Sequence, residues 1–202
     1  MTVRILLADD QALIRSALAA LLELDDEFEV VAQVGRGDEV VAAAVAAAPD
    51  VALLDIEMPG IDGLAAAAAL HEQVPGCRVL MVTTFGRPGY LRRAMEAGAA
   101  GFVVKDAPAE QLAEAVRRVA AGEHVVDPAL AAATLAGGTS PLTARERDVL
   151  VASRDGATVA DIAGRLFLSE GTVRNYLSAA IAKCQVRNRV EALRVAEEKG
   201  WL

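Results

Sequence analysis

The feature that most limits the possible folds is a regular alternation of two kinds of apolar segment across residues 1–122. Short β-type runs recur about every two dozen residues, separated by Ala- and Leu-rich stretches with helical spacing. The five predicted strands are Val3–Ala8, Phe28–Val34, Val51–Leu54, Val79–Val82 and Gly101–Val104. The predicted helices span residues 11–24, 37–48, 62–74, 87–98 and 108–121. Continuous apolar strands that alternate with helices are typical of a parallel sheet covered on both faces, so we predict a doubly wound, five-stranded α/β domain.

The chain changes character after residue 122. Asp127-Pro128 joins an N-cap residue to a proline at the first helical position, which predicts a short helix that ends near Ala136. The Gly-, Ser- and Pro-rich residues 137–141 then predict a flexible linker. Four helices are predicted beyond it, at 143–154, 158–166, 169–184 and 188–199. We therefore predict a domain at 1–122, a linker with a short helix at 123–141, and an all-α domain at 142–202.

Composition narrows the class of protein. Residues 1–139 carry 10 Lys and Arg against 20 Asp and Glu, a net charge of −10, whereas residues 140–202 carry 10 against 8, a net charge of +2. This asymmetry indicates two different tasks. No apolar run approaches the roughly 20 residues of a membrane span, and Cys77 and Cys184 are far apart in sequence. We expect a cytoplasmic protein with two ordinary thiols and no membrane partner.

Polar residues follow four of the five predicted strands. Asp9 and Asp10 end the first strand, Asp55 the third, Thr83 the fourth and Lys105 the fifth. Two adjacent carboxylates repel each other, so Asp9 and Asp10 lie either in a solvated turn or around a cation. Because doubly wound sheets form their ligand crevice outside the carboxyl ends of the strands, we expect these side chains to meet there.

The chemistry of these residues is mutually consistent. Three carboxylates, a backbone carbonyl and water suit Mg2+, which prefers a few carboxylates together with substrate phosphate. A carboxylate can attack phosphorus, and Asp55, alone on the central strand, is the natural nucleophile. Lys105 and Thr83 would then hold the phosphoryl oxygens. Asp9 and Asp10 would hold the metal, and the carbonyl of Glu57 could complete its oxygen cage.

These segments resemble the receiver domain of two-component response regulators, a flavodoxin-like fold. The segments that carry the resemblance are "LLADDQALIR", "LLDIEMPGIDGL", "MVTTF" and "GFVVKDAPAEQL". The resemblance implies a phosphoacceptor at Asp55, a metal site at Asp9, Asp10, Asp55 and Glu57, and a switch pair at Thr83 and Lys105. Phe102 stands where receivers often have a switch aromatic, although a core phenylalanine on a strand is an equally good interpretation. Many receivers have Lys-Pro where this chain has Lys105-Asp106.

One alternative from another class is a phosphohydrolase of the haloacid dehalogenase type. Such enzymes also combine a strand-end aspartate, a hydroxyl, a lysine and acids around Mg2+, and residues 55–57 have the form of their nucleophile motif. Their nucleophile lies on the first strand, however, and their acid pair comes late. Here that order is reversed, and a separate helical domain follows.

The helical tail contains a helix, a tight turn at residues 167–169 and a second helix. Thr143 with Glu146, Thr158 with Asp161, and Ser169 are predicted helix starts. The second helix has an apolar stripe, expected to be core, made of Val173, Leu177, Ala180, Ile181 and Cys184. Its outer face near the N-terminus carries Glu170, Thr172, Arg174, Asn175 and Ser178. A DNA-recognition helix has its base-contacting residues in that place.

The tail resembles the LuxR-type helix-turn-helix that ends NarL/FixJ-type response regulators. The segments are "LTARERDVL", "ATVADIAGRLFLSEGTVRNYLSAAIAKC" and "VRNRVEALRVAEEKG". The resemblance implies sequence-specific binding of double-stranded DNA through the helix that begins near Ser169. Three features differ from the usual pattern: Tyr176 replaces a common His, Ser178 a common basic residue, and Cys184-Gln185 the usual Leu-Gly.

Side-chain chemistry suggests how each residue of that helix would be used. Arg suits guanine edges and Asn suits adenine edges, so Arg174 and Asn175 are the predicted base contacts. The predicted phosphate contacts are Thr172, Tyr176, Lys183 and Arg189. A two-fold dimer would bind a pseudo-palindrome with half-sites about 34 Å apart.

Together the two resemblances imply a phosphorylation-dependent transcription regulator and not a turnover enzyme. A sensor histidine kinase or a small phosphodonor would phosphorylate Asp55, and the change would promote dimerisation or release a contact between the two domains. The alternative in a different functional class is a constitutive DNA-binding protein that uses its receiver only to dimerise.

Overall fold

A computed structural model describes residues 2–84, 88–136 and 140–202. The chain forms two compact units: the first contains most of residues 1–131, and the second contains residues 132–202 together with 88–90. Residues 137–139 of the predicted linker lie outside the described residues.

The first unit contains one parallel sheet with the strand order β2-β1-β3-β4-β5-β6. The strands are β1 (Val3–Ala8), β2 (Phe28–Val34), β3 (Val51–Leu54), β4 (Arg78–Thr83), β5 (Gly101–Val104) and β6 (Val125–Val126). The doubly wound class is confirmed, and four predicted strands have the observed bounds. The predicted number of five strands was wrong, because the sequence analysis missed β6, which is only two residues long. A strand of that length has no periodicity that a sequence pattern can detect.

Helices cover both faces of this sheet. The first unit contains α1 (Ala12–Leu22), α2 (Val40–Ala47), α3 (Gly63–Gln73), most of α4 (Pro88–Glu96), α5 (Ala109–Ala120) and the start of α6 (Pro128–Ala136). One core forms where α1 and α5 pack on Ile5 and Leu7 of β1. Leu6 points to the opposite face, since side chains alternate along a strand, and it is also fully buried. Both faces of the central strands are therefore removed from water, which explains their unbroken apolar sequence.

The second unit is helical, as predicted. Its four main helices are α7 (Ala144–Ala152), α8 (Val159–Leu166), α9 (Glu170–Cys184) and α10 (Arg189–Glu198). The predicted helix starts at Thr143 and Thr158 are confirmed, and each is a capping box. Ser169 accepts a hydrogen bond from Thr172 N at the start of α9. The predicted stripe of α9 faces a shared core that includes Val149, Ile162 and Trp201. Nowhere in the described ranges is a helix both long enough and apolar enough to cross a membrane.

Candidate functional site

Four strands of the first unit end at one edge of the sheet, and each carries a predicted site residue to that edge. Asp9 and Asp10 follow β1, and Asp55 follows β3. Thr83 is the last residue of β4, and Lys105 follows β5. The hydrogen-bond ladder continues past these two strands, because Lys105 N donates to Thr83 O at 2.7 Å. The parallel topology therefore gathers residues that are distant in sequence.

The three acids form one cluster. One carboxylate oxygen from each of Asp9, Asp10 and Asp55 lies within 4.8 Å of the other two. Asp9 and Asp55 are only 3% and 5% exposed, whereas Asp10 is exposed. Lys105 Nζ donates to Asp55 Oδ2 at 2.9 Å and lies 2.7 Å from Asp9 Oδ2. One lysine thus pairs with two of the three carboxylates, so the cluster keeps an excess of negative charge that favours a further cation.

Burial and ion pairing act against each other on these groups. Burial raises the pKa of Asp55 above its ordinary value, and the hydrogen bond and charge of Lys105 offset only part of that rise. Burial alone would lower the pKa of Lys105, but its interactions with the Asp9 and Asp55 carboxylates outweigh burial, and the pKa is raised. Lys105 is therefore held as an ammonium group beside the acids.

One carboxylate oxygen of the cluster has an ion pair but no hydrogen bond. Asp9 Oδ2 is buried and has no hydrogen-bond partner within the described part of the chain. Its contact with Lys105 Nζ has the distance of a close ion pair without the alignment of a hydrogen bond. A buried carboxylate oxygen whose partner is one ion pair, in a cluster whose candidate ligand atoms are all oxygens, fits a hard divalent cation. The side chain of Glu57 is exposed and lies outside this cluster, so only its backbone carbonyl remains a candidate ligand.

The two other predicted switch residues are buried. Thr83 is 2% exposed at the end of β4. Phe102 is 1% exposed and lies in register with Met81 of β4 and Val126 of β6. In this structure the phenyl ring is a core side chain, and a switch role would require it to move.

One residue beside the acids was missed from the sequence. Arg15, in the first turn of α1, donates a hydrogen bond from Nη1 to the backbone carbonyl of Asp9. The available signal was its position six residues after Asp9, where α1 returns across the end of β1. Arginine is common in helices, so this signal is weak in the sequence alone.

In the second unit, the first half of α9 presents a polar outer face. Arg174, Asn175 and Ser178 are exposed there, and Thr172 is half-buried. Arg174 Nη2 lies 2.6 Å from Glu170 Oε2 in an exposed ion pair. Such pairs contribute little to stability, so Arg174 can exchange this partner for another at small cost.

Three predicted DNA-contact residues have other partners in the structure. Lys183 Nζ donates to Glu146 Oε2 at 2.7 Å, and Arg189 Nη1 donates to Ala157 O at 2.8 Å. Tyr176 is half-buried against the core of the tail. Lys183 is nine residues after Arg174, which places it about half a turn around the helix. Lys183 therefore lies on a different side of α9 from Arg174.

The sequence matches two family models, one for each unit. Residues 5–117 match the response regulator receiver domain, and residues 140–196 match the luxR family of bacterial regulatory proteins. These matches follow the chain order of the two units, and they do not support the phosphohydrolase alternative.

Relatives align over nearly the whole chain. The transcriptional regulatory protein DesR of Bacillus subtilis (strain 168) is 43% identical over 199 residues, 98% of each chain. The response regulator RamR of Streptomyces coelicolor is 44% identical over 201 residues, again 98% of each chain. The crystal structure of ChrA, a response regulator of a heme-sensing two-component system, is 32% identical, covers 100% of this chain and 99% of that chain, and gives a TM-score of 0.60. The chain therefore belongs to the NarL/FixJ-type response regulators of two-component systems, which join a receiver domain to a LuxR-type DNA-binding domain.

Proposed function

We propose that residues 1–122 form a phosphorylation switch that controls DNA binding by residues 142–202, with residues 123–141 as the connection. The observation that carries this proposal is the cluster of Asp9, Asp10 and Asp55 with Lys105 at one edge of the sheet. Buried acids with a single lysine partner are costly unless the site serves a ligand.

In the proposed reaction, a carboxylate oxygen of Asp55 attacks the phosphorus of a phosphohistidine on a sensor kinase. The new bond joins that oxygen to phosphorus, and the bond between phosphorus and the imidazole nitrogen breaks. The imidazole leaves with the electron pair and takes up a proton. Acetyl phosphate would react in the same way and release acetate. The product is a mixed anhydride on Asp55.

Mg2+ would be held by Asp9, Asp10, Asp55 and the carbonyl of Glu57. When bound, it supplies positive charge against the phosphoryl oxygens. Lys105 would exchange one carboxylate partner for a phosphoryl oxygen, and the Thr83 hydroxyl would donate to another. Phe102 lies on β5, three residues before Lys105, so a shift of Lys105 would be passed along this strand to the phenyl ring.

The output would be a homodimer that binds a pseudo-palindromic DNA site. Phosphorylation raises the DNA-competent population only as far as it stabilises that state more than the other state. Each factor of ten in the population ratio requires about 1.4 kcal/mol of this difference. One helix α9 from each protomer would enter a major groove, with half-sites about one helical turn apart. The protein would act as a switch inside the cell and not as a turnover enzyme.

Intact mass spectrometry after incubation with acetyl phosphate and Mg2+ tests the proposal. We expect one added phosphoryl group, which EDTA prevents and Asp55→Asn abolishes. Asp106→Asn is the matched control, because Asp106 is exposed and adjacent to Lys105. Modification that persists in Asp55→Asn would overturn the assignment.

Sedimentation of the full chain with and without beryllofluoride tests the dimer. We expect stronger self-association when the mimic is bound. DNA affinity that is identical with and without the mimic would favour the constitutive alternative.

A further inference from the structure

Each polar group of Asp9 has a separate task in the structure. Its backbone N donates to Val34 O at 3.2 Å, and its Oδ1 accepts from Gln11 N at 2.9 Å. Its carbonyl accepts the hydrogen bond from Arg15 Nη1. Its Oδ2 makes the 2.7 Å ion pair with Lys105 and has no hydrogen bond within the described residues. Three hydrogen bonds thus fix the residue, and Oδ2 is the atom that faces the positive charge of the site.

Arg15 is a cation beside an acid cluster, yet it binds a carbonyl. Within the described ranges its guanidinium forms no ion pair with any carboxylate. The side chain is half-buried and lines a small cavity together with Asp9 and Asp55. A Cβ atom at Gly35 would lie 3.4 Å from Nη1, so this residue packs directly beside the guanidinium. This arrangement positions the backbone and does not cancel the charge of the acids.

The carbonyl that Arg15 holds belongs to the peptide bond between Asp9 and Asp10. A peptide unit is planar and includes the Cα atoms of both residues. Holding its oxygen therefore restrains the backbone from which both carboxylates project. We propose that Arg15 is a positioning residue that aims Asp9 and Asp10 at the divalent cation. This inference rests on the metal site of the proposed function and adds a residue to its support, as the groups around metal ligands do in other proteins.

A positioning role and a purely electrostatic role for Arg15 predict opposite changes in cation affinity when Arg15 is removed. If Arg15 acted only as a nearby positive charge, its removal would strengthen cation binding, because like charges repel. If it positions the ligands, its removal weakens cation binding. Arg4 offers a matched control, since it also donates to backbone carbonyls, those of Ala47 and Ala48, on another loop.

Mn2+ binding to the full chain, followed by electron paramagnetic resonance without any phosphodonor, decides between these roles. We expect Arg15→Met to weaken binding by about 10- to 100-fold. Arg15→Lys should recover part of the loss, because an ammonium group can still donate to the Asp9 carbonyl. Arg4→Met should bind like the wild type.

Two results would overturn the inference. Equal or tighter Mn2+ binding by folded Arg15→Met would show that Arg15 is only a charge or a structural contact. Thermal unfolding shows whether Arg15→Met is folded. If Arg15→Met is not folded, Arg15→Ala and Arg15→Lys take its place, and wild-type affinity for Mn2+ in both of them would overturn the inference. No Mn2+ binding by the wild type would overturn the metal site itself, which separates the two failures.

Discussion

At the scale of single residues, Phe167 combines two unfavourable properties. It ends α8 in the left-handed region with φ of 55°, and its side chain is 95% exposed. A non-glycine residue costs about 1 kcal/mol or more in that conformation, and an exposed phenyl ring gains no burial energy. This left-handed conformation was not predictable from the residue type, because glycine or asparagine is the usual residue at such a position.

Phe167→Asn should therefore raise the free energy of unfolding, by up to about 1 kcal/mol, since asparagine tolerates positive φ. Urea unfolding of the full chain measures the change. Phe167→Val is the matched control and should be less stable than the wild type, because a β-branched residue is disfavoured at positive φ. A loss of stability in Phe167→Asn would mean that the ring makes a stabilising contact despite its exposure.

Residue types at strand ends were a strong basis for prediction, and hydrogen bonds to backbone were not. Asp55, Thr83 and Lys105 could be placed together because parallel strands end at one edge. The bond from Arg15 to the Asp9 carbonyl depends on a helix orientation and a side-chain rotamer, and neither is encoded in a local pattern. The partners of Lys183 and Arg189 also depend on helix orientation and rotamer, so they were not predictable from the sequence.

At the scale of elements, Glu146 connects the start of α7 to the last turn of α9. Its Oε2 accepts from Thr143 N and from Lys183 Nζ, each at 2.7 Å, and the residue is 5% exposed. Burial alone would raise the pKa of Glu146, but the hydrogen bonds from Lys183 and Thr143 outweigh it and lower the pKa. The capping box was predictable from sequence, whereas the bond to Lys183, 37 residues later, was not.

A lowered carboxylate pKa has a defined effect on stability. The contribution of Glu146 is complete above the ordinary glutamate pKa, near 4.3, and is lost as pH falls through the lower folded value. Glu146→Gln should destabilise the tail by about 1–2 kcal/mol at pH 7. Its stability should also fall less between pH 5 and 3 than that of the wild type. An equal loss of stability between pH 5 and 3 in the wild type and in Glu146→Gln would contradict this account.

Lys183 should behave as the partner of Glu146. Lys183→Met should lower the free energy of unfolding, and the loss in the double variant with Glu146→Gln should be smaller than the sum of the single losses. The salt dependence of DNA binding should stay unchanged if Lys183 makes no phosphate contact. A salt-dependence slope that falls in Lys183→Met by the amount expected for one phosphate contact would show that Lys183 contacts a DNA phosphate.

At the scale of the whole molecule, the charge asymmetry suits a divided task. The acidic residues 1–139 keep a net charge of −10, which opposes non-specific contact of that part with DNA. The tail has a net charge of only +2, so its affinity for DNA depends on where a few cations lie. The exposed Arg174 is the clearest of these on the outer face of α9.

Arg174 should therefore set both affinity and specificity. Arg174→Ala should cost about 1–3 kcal/mol of DNA-binding free energy and relax one base position, because arginine makes paired hydrogen bonds to guanine. Glu170→Ala is the matched control: it breaks the same ion pair but keeps the guanidinium and removes a negative charge near the phosphates. We expect that variant to bind DNA at least as tightly as the wild type. Binding of the phosphorylated full chain to randomised half-sites over a salt series measures both effects, and full specificity in Arg174→Ala would show that another face of α9 reads the bases.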